Sequence, residues 1–344
     1  MPGGNIMNNL KKGAALGCAA ALILSLAACG QSSGSGSSDT EATDGSQAEG
    51  TTYTIGICQL VQHAALDAAT EGFQDALKEK LGDSVTFDVQ NAAGEAATCS
   101  TIVTSFNTNK VDLILANATA PLQAAAAATS TIPILGTSIT DYATALDVDA
   151  ADWTGASGIN ISGTSDLAPL DEQADIIKEL FPDAKTVGIM FCSAEPNSKY
   201  QSDVITPYLE DLGYSVKTYT FADTNDVASV TQTVCDECDV IYIPTDNTAA
   251  SCTEAIANVV IPAKVPVVTG DEGTAAGCGV ATLCISYYDL GYETGEMAYE
   301  VLVEGADISS MEIRFAPSVT KEYNADIAET LGIDIPDDYV AIGE

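Results

Sequence analysis

The side chains of this 344-residue sequence that could carry out acid–base or nucleophilic chemistry include one histidine, ten cysteines and 49 aspartates and glutamates. His63 is the only histidine, and the chain from residue 51 onward has no G-x-S-x-G motif to complete a Ser-His-Asp arrangement. The same part of the chain has no glycine-rich phosphate loop. Aspartate and glutamate are abundant, but acidity alone does not identify a catalytic pair. We therefore expect a protein that is not an enzyme; the catalytic alternative is a hydrolase or lyase that uses Glu195 or Asp271.

The segment Cys235-Asp236-Glu237-Cys238 has the spacing of zinc-binding and redox motifs. The sequence has no second CxxC and no histidine near this one. The motif also precedes a predicted strand, which places it away from the strand ends where ligands bind. We therefore predict neither a metal site nor a cofactor. The eight cysteines after Cys29 could form disulfides in several pairings, and buried thiols are the alternative.

The N-terminus has the features of a bacterial lipoprotein signal in the correct order. Lys11 and Lys12 precede an apolar run over 13–28 that is too short for a good transmembrane span. The run ends in Leu26-Ala27-Ala28-Cys29, which matches a lipobox, so residues 1–29 are predicted to be a signal with lipidation at Cys29. A secreted protein with an incidental cysteine is the alternative. Residues 30–51 have no large apolar side chain and are expected to form a disordered tether.

The predicted anchor places the protein outside the cytoplasm, attached by lipid to the outer face of the bacterial cell membrane. The formal net charge is -37, with eleven lysines and one arginine. Nucleic acids and anionic membrane surfaces repel such a chain, so we expect no nucleic-acid partner and membrane contact through the lipid only. About 290 residues follow the tether without a long apolar run, which is typical of a globular body.

Beyond residue 52, short apolar runs alternate with segments of helical periodicity, a pattern that predicts parallel sheets covered by helices. The first strands are expected at 53–58, 85–90, 111–116 and 132–136. The pattern then recurs. Segments 186–198, 238–247 and 264–271 resemble 54–66, 111–120 and 131–138, at offsets of 132, 127 and 133 residues. A nearly constant offset indicates two similar lobes in tandem.

The predicted fold is therefore α/β, with two Rossmann-like parallel-sheet lobes joined by a hinge. The first lobe is expected to contain 52–161 and about 286–315. The second lobe is expected to contain 162–285 and about 316–344.

The residues that follow the predicted strands are mostly small or polar, as a ligand cleft between two lobes requires. Ligands of parallel sheets bind beyond the carboxyl ends of the strands, where helix N-termini point. The candidate ligand-binding residues are Gln59, His63, Ala118, Thr119, Thr140, Asp141, Ser165, Asp166, Ser193, Glu195, Asn197, Asp246, Asn247 and Asp271. The alternative role of Thr119 and Asp246 is to cap a helix. Asp166 could instead be a hinge or cap residue, and His63 could instead cap a helix or pack against its neighbours.

These strand ends lack arginine, which disfavours a polyanionic ligand such as a nucleotide. A zwitterion fits better. Helix N-terminal amides with Thr119, Thr140 and Ser193 could hold one carboxylate, and Asp246 or Asp271 could hold an ammonium group. This chemistry indicates a small-molecule ligand of the α-amino acid type. The candidates for stacking on an aromatic ligand are Tyr142, Tyr287 and Tyr288.

Several segments of the body together resemble a known family. They are HAALDAATEGFQDAL (63–77), VDLILANAT (111–119), NISGTSD (160–166), SAEPNS (193–198), YIPTDN (242–247) and ISYYDLG (285–291). The chain from residue 52 to its C-terminus is similar to the tryptophan/tyrosine-binding group of substrate-binding lipoproteins of ABC importers. It departs from that group at Ala64 and Tyr142, where proline is expected; both flank the expected site.

The resemblance implies the type I periplasmic-binding-protein fold and an aromatic amino acid as the ligand. It also implies two partners, an ABC permease and its ATPase, to which the ligand is delivered. A tethered sensory or adhesion module is the alternative function. A sugar, a nucleoside or a branched-chain amino acid is the alternative ligand.

Overall fold

The computed structural model describes residues 51–343, so the predicted signal, Cys29 and nearly all of the predicted tether lie outside the described residues. The first of two sheets has the strand order β11-β5-β4-β3-β1-β2, with all neighbouring strands parallel. Its strands are β1 (Tyr53–Gln59), β2 (Val85–Asn91), β3 (Leu113–Asn117), β4 (Ile134–Ile139), β5 (Ile161–Ser165) and β11 (Arg314–Phe315). The helices of this first lobe are α1 (Ala64–Leu81), α2 (Ala96–Asn109), α3 (Thr119–Ala128), α4 (Tyr142–Ala145) and α11 (Tyr287–Tyr299).

The second sheet has the order β13-β12-β10-β9-β8-β6-β7, and the pair β10–β12 is antiparallel. Its strands are β6 (Thr186–Cys192), β7 (Ser215–Phe221), β8 (Val240–Ile243), β9 (Val267–Thr269), β10 (Ala281–Cys284), β12 (Thr320–Tyr323) and β13 (Val340–Ala341). The helices of this second lobe are α5 (Leu170–Leu180), α6 (Pro196–Asp211), α7 (Val227–Glu237), α8 (Asn247–Ala250), α9 (Thr253–Ala263), α10 (Glu272–Cys278) and α12 (Ala325–Leu331).

The internal repeat predicted from the sequence is confirmed by the sheet topology. The order β4-β3-β1-β2 in the first sheet recurs as β9-β8-β6-β7 in the second. The central strands form because they are continuous apolar runs; every residue of β3 is buried. Such runs are typical of parallel strands covered by helices on both faces.

The chain crosses between the lobes three times, after β5, after β10 and after β11. The expected boundary at residue 161 is too early, because β5 (Ile161–Ser165) pairs with β4 and β11 in the first sheet. The first crossing therefore begins at Asp166. This shift matters for function, since it places Asp166 at the start of a connection between the lobes.

The position of α1 is set by its close packing against α11. A Cβ atom on Gly72 would lie 2.1 Å from the backbone oxygen of Tyr288, and one on Gly291 would lie 2.0 Å from that of Ala69. A side chain at either glycine would push the helices apart. The close approach fixes the N-terminus of α1, where His63 lies.

In residues 51–343 the structure contains no helix that is both long and apolar enough to span a bilayer. The cysteines of this region are free thiols. Burial and the neighbouring Asp236 raise the pKa of Cys235 to about 11. A redox-active cysteine needs a lowered pKa, so the Cys235–Cys238 motif lacks the electrostatics of a redox site.

Candidate functional site

A narrow cavity between the two lobes lies at the carboxyl ends of both sheets and leaves about 10 Å³ for the centre of a water-sized sphere. This is room for about one water molecule. The first lobe contributes one wall, from the start of α1 and the end of β4. The second lobe contributes the other wall, from α6, α8 and the loops before α8 and α10. Asp166 and Tyr287 lie where the chain crosses between the lobes. The lining residues are His63, Ala65, Leu66, Ser138, Asp166, Asn197, Thr245, Asp246, Asn247, Ala250, Asp271 and Tyr287.

Three buried aspartates line this cavity. Asp166 is 4% exposed, and Asp246 and Asp271 are each 1% exposed. None of the lining residues is a lysine or an arginine. Buried carboxylates without a cationic partner are costly, so the cavity is electrostatically suited to a ligand that brings a positive charge.

Asp166 is held by hydrogen bonds to both of its carboxylate oxygens. Thr140 Oγ1 donates to Oδ1 at 3.1 Å, and the Tyr287 hydroxyl donates to Oδ2 at 2.9 Å. Burial raises the pKa of Asp166 to about 6, and the nearby Asp271 adds to the increase, whereas the two hydrogen bonds oppose it. The carboxylate is thus ionised at neutral pH but lacks a charge partner.

Asp246 and Asp271 both cap helices of the second lobe. Asp246 Oδ1 accepts from the amide of Ala249 at 2.8 Å, and its Oδ2 accepts from the amide of Cys192 at 2.7 Å. Burial and the neighbouring Glu195 raise the pKa of Asp246 to about 8. Asp271 accepts from the amide and the hydroxyl of Thr274. Each side chain therefore has a structural role in addition to its place in the cavity wall.

Both carboxylate oxygens of Glu195 accept hydrogen bonds from residues of the second lobe. Its Oε1 accepts from the amide and hydroxyl of Thr248, at 2.8 and 2.7 Å. Its Oε2 accepts from the backbone amide and the side-chain Nδ2 of Asn247, at 3.0 and 2.8 Å. Glu195 thus satisfies the first amides of α8, which have no partner within the helix.

The orientation of Asn247 determines the tautomer of neutral His63. Because Asn247 Nδ2 donates to Glu195, its Oδ1 faces His63 Nε2 at 3.2 Å across the cleft. Nε2 must therefore carry the proton, and Nδ1 of the neutral ring is an acceptor. Nδ1 is buried and has no partner in the described structure. A ligand in the cavity can supply the missing donor.

Ser138 provides a second unsatisfied group in the cavity wall. Its Oγ is buried without a hydrogen-bond partner among the described residues, and its backbone has φ 57°. Left-handed conformations of non-glycine residues are uncommon and cluster at functional sites. The hydroxyl of Ser138 is available to donate to a ligand.

Residues 54–342 match the family model described as ABC transporter substrate binding protein. The chain belongs to this family. The tyrosine-binding protein of Clostridioides difficile (strain R20291) is 35% identical to this substrate-binding protein over 292 residues, which are 84% of this chain and 82% of the relative.

Two solved structures represent different states of similar proteins. A Streptococcus pneumoniae protein in complex with L-Trp is 32% identical, with a TM-score of 0.79 over 83% of this chain and 97% of that one. A substrate-binding protein with adhesive properties from Clostridium difficile, in its ligand-free, open structure, is 35% identical. Its TM-score is 0.64 over 84% of this chain and 99% of that one.

The structure brings together six of the candidate ligand-binding residues of this substrate-binding protein. These cavity-lining residues are His63, Asp166, Asn197, Asp246, Asn247 and Asp271. Thr140 lies directly behind Asp166 and donates to it. The cavity is also lined by Ser138 near the end of β4, by Thr245 after β8, and by Ala65, Leu66 and Ala250 in helices. None of these five is among the candidate ligand-binding residues predicted from the sequence.

The other candidates do not line the cavity. Gln59 donates to Asp67 and accepts from Thr70, so it anchors α1. Asp141 caps α4 through the amide of Thr144, and Ser193 is exposed. Ser165 Oγ donates to the backbone oxygen of Thr140. Ala118, Thr119 and Glu195 are buried outside the cavity lining.

Ala118 nevertheless has an unusual backbone, with φ 99° and ψ 165° at the residue before α3. This region is normally restricted to glycine. Of the three tyrosines considered for stacking, Tyr287 lines the cavity. Tyr142 is buried and donates to the backbone oxygens of Gly136 and Thr164, and Tyr288 is 38% exposed.

Proposed function

We propose that this substrate-binding protein binds an aromatic amino acid in the interlobe cavity and delivers it to an ABC permease and its ATPase. The observation that carries the proposal is the set of buried carboxylates without a lysine or arginine in the cavity wall. A ligand ammonium group supplies the missing charge. The names of two similar proteins support the ligand class, since one is a tyrosine-binding protein and the other contains L-Trp.

The cavity offers different partners to the two ends of an amino acid. Asp166 and Asp271 face the ammonium group, because burial and the neighbouring Glu195 raise the pKa of Asp246 to about 8 and so favour its neutral form. The sequence had favoured Asp246 and Asp271 for this role. The ligand carboxylate is assigned to Ser138 Oγ, which has no partner among the described residues, and to the N-terminus of α1, whose Ala65 and Leu66 line the cavity.

The arrangement of the lobes supports ligand binding by closure. The structure has a higher TM-score to the L-Trp complex than to the ligand-free, open relative, 0.79 against 0.64, although the open relative is slightly more identical in sequence. A closed arrangement with contacts from both lobes is what ligand binding stabilises in a hinged protein.

A thermal-shift screen against amino acids, sugars and nucleosides tests the proposed ligand. The purified protein without residues 1–29 retains all described residues. Tyrosine, tryptophan or phenylalanine at about 100 times its Kd is expected to raise the melting temperature by about 4–5 °C, since binding then adds about 2.7 kcal/mol of stability. A clear shift with a sugar and none with these amino acids would contradict the proposal.

We also propose that Cys29 carries the lipid that anchors the protein outside the cell membrane. Its lipobox motif supports this anchor. Metabolic labelling with a fatty acid is expected to mark the wild type and to leave Cys29→Ala unlabelled, with the variant released into the medium or periplasm. A labelled Cys29→Ala protein would refute the assignment of the anchor site.

A further inference from the structure

A chain of buried hydrogen bonds connects the second lobe to Asp166 through the first lobe. Gln201, in α6 of the second lobe, donates from Nε2 to Thr140 Oγ1 of the first lobe at 3.1 Å. Thr140 in turn donates to Asp166 Oδ1, also at 3.1 Å. The three side chains are 2%, 3% and 4% exposed in that order. Water therefore does not compete for these bonds.

The direction of each bond is fixed by its neighbours. The backbone amide of Thr245 donates to Gln201 Oε1 at 3.1 Å, so the other side of the amide, Nε2, faces Thr140. Gln201 can then only donate to the Thr140 hydroxyl, which accepts that bond. The single proton of Thr140 remains for Asp166.

The chain of donors fits an ionised Asp166. Thr140 donates to one carboxylate oxygen and Tyr287 to the other. If Asp166 were protonated, the protonated oxygen would point its hydrogen at one of these two hydroxyl donors. The hydrogen bond from that donor would then be lost. The other titratable groups that act on this carboxylate are Asp271, which opposes its ionisation, and Tyr142, whose hydroxyl bonds elsewhere.

We propose that Gln201 and Thr140 form a latch that couples the charge on Asp166 to closure of the two lobes. The coupling rests on the proposed function, in which the ligand's ammonium group stabilises the ionised carboxylate. The ionised carboxylate orients the Thr140 proton toward itself, and the Thr140 oxygen is then free to accept from Gln201 of the other lobe. Gln201 is thus a positioning residue that does not itself line the cavity.

The latch operates in the closed state, so its loss is expected to increase the rate of ligand dissociation and to leave association nearly unchanged. Gln201→Met and Thr140→Val should each raise Kd about two- to tenfold, the range for one buried hydrogen bond. The double variant should be no weaker than Thr140→Val, because Thr140→Val already removes the bond between Gln201 and Thr140. Thr140→Ser, which keeps the hydroxyl, should restore most of the affinity.

Gln173→Met is the matched control. Gln173 is also buried and hydrogen-bonded, but its partners, Leu283 and Tyr242, belong to its own lobe. This variant is expected to lower the melting temperature without changing the dissociation rate. The latch is overturned if the effects of Gln201→Met and Thr140→Val on Kd are additive, if Thr140→Ser is as weak as Thr140→Val, or if Gln201→Met behaves like Gln173→Met.

The measurements use whichever small molecule binds in the thermal-shift screen. A ligand without an ammonium group would contradict the proposed function, whereas additive effects with any ligand would overturn the latch. The two failures are therefore distinguishable.

Discussion

Asp166→Asn is expected to weaken the binding of an aromatic amino acid about 30- to 700-fold while stabilising the ligand-free protein at pH 7. The loss of affinity follows from removing one member of a buried charge pair, which costs about 2–4 kcal/mol. Asparagine has nearly the same shape, and its Oδ1 can still accept from Thr140. The substitution therefore tests the charge more than the packing.

The gain in stability has a separate physical cause. Folding raises the pKa of Asp166 from 3.8 to about 6 because the ionised carboxylate loses water. A shift of this size corresponds to about 3 kcal/mol at pH 7, of which we expect about 1–3 kcal/mol to be recovered in the neutral variant. Denaturant unfolding without ligand measures this gain, and calorimetry measures the affinity.

Asp141→Asn is the control for Asp166→Asn. Asp141 also follows a strand of the first lobe, but it caps α4 and does not line the cavity. We expect no more than a small loss of stability from the weaker cap and an unchanged Kd. Equal affinities of Asp166→Asn and the wild type would show that Asp166 does not bind the ammonium group.

The stability of the ligand-free protein and its affinity for the ligand are expected to change in opposite directions with pH. Asp166 and Asp246 have folded pKa values of about 6 and about 8, both raised from 3.8 mainly by burial. For a raised carboxyl pKa, the stabilising contribution is complete below the unfolded value and is lost as the pH rises through the folded value. The free energy of unfolding should therefore decrease by about 5 kcal/mol from pH 5 to pH 8, most of it from Asp246.

Ligand affinity should change in the other direction. Binding requires the ionised form of Asp166, so the affinity is expected to fall about tenfold from pH 7 to pH 5, as protons compete with the ammonium group. Melting curves with and without ligand across this range measure both effects. Asp166→Asn is the control, in which affinity should lose most of its pH dependence. An affinity for the wild type that is constant from pH 5 to pH 7 would contradict the ionised role of Asp166.

The fold was largely predictable because its central strands are continuous apolar runs. The expected strand at 53–58 is β1 (Tyr53–Gln59), and the one at 132–136 is β4 (Ile134–Ile139). The sequence did not reveal β5 (Ile161–Ser165), which is short and polar and contains Gly163 at φ 142°. Strand β5 is held in the sheet by its pairing with β4 and β11. Pairing with distant segments produces no hydrophobic pattern within the strand's own sequence.

The cavity was predictable to the extent that strand ends converge. That rule gave His63, Asp246 and Asp271. It could not show that Glu195 satisfies the amides of α8, because the two segments are distant in sequence and meet only in the fold. Gln201 was also missed, since it lies inside a helix and its function depends on the approach of the other lobe.

The most direct test of the account is a calorimetric comparison of one amino acid with its analogue that lacks the amino group. Tyrosine and 3-(4-hydroxyphenyl)propionate have the same ring and carboxylate, as do the corresponding tryptophan and phenylalanine pairs. The pair is chosen from the amino acid that gives the largest thermal shift. If the buried carboxylates bind an ammonium group, the analogue should bind at least about 30-fold more weakly. Equal affinities for the two compounds would contradict the account.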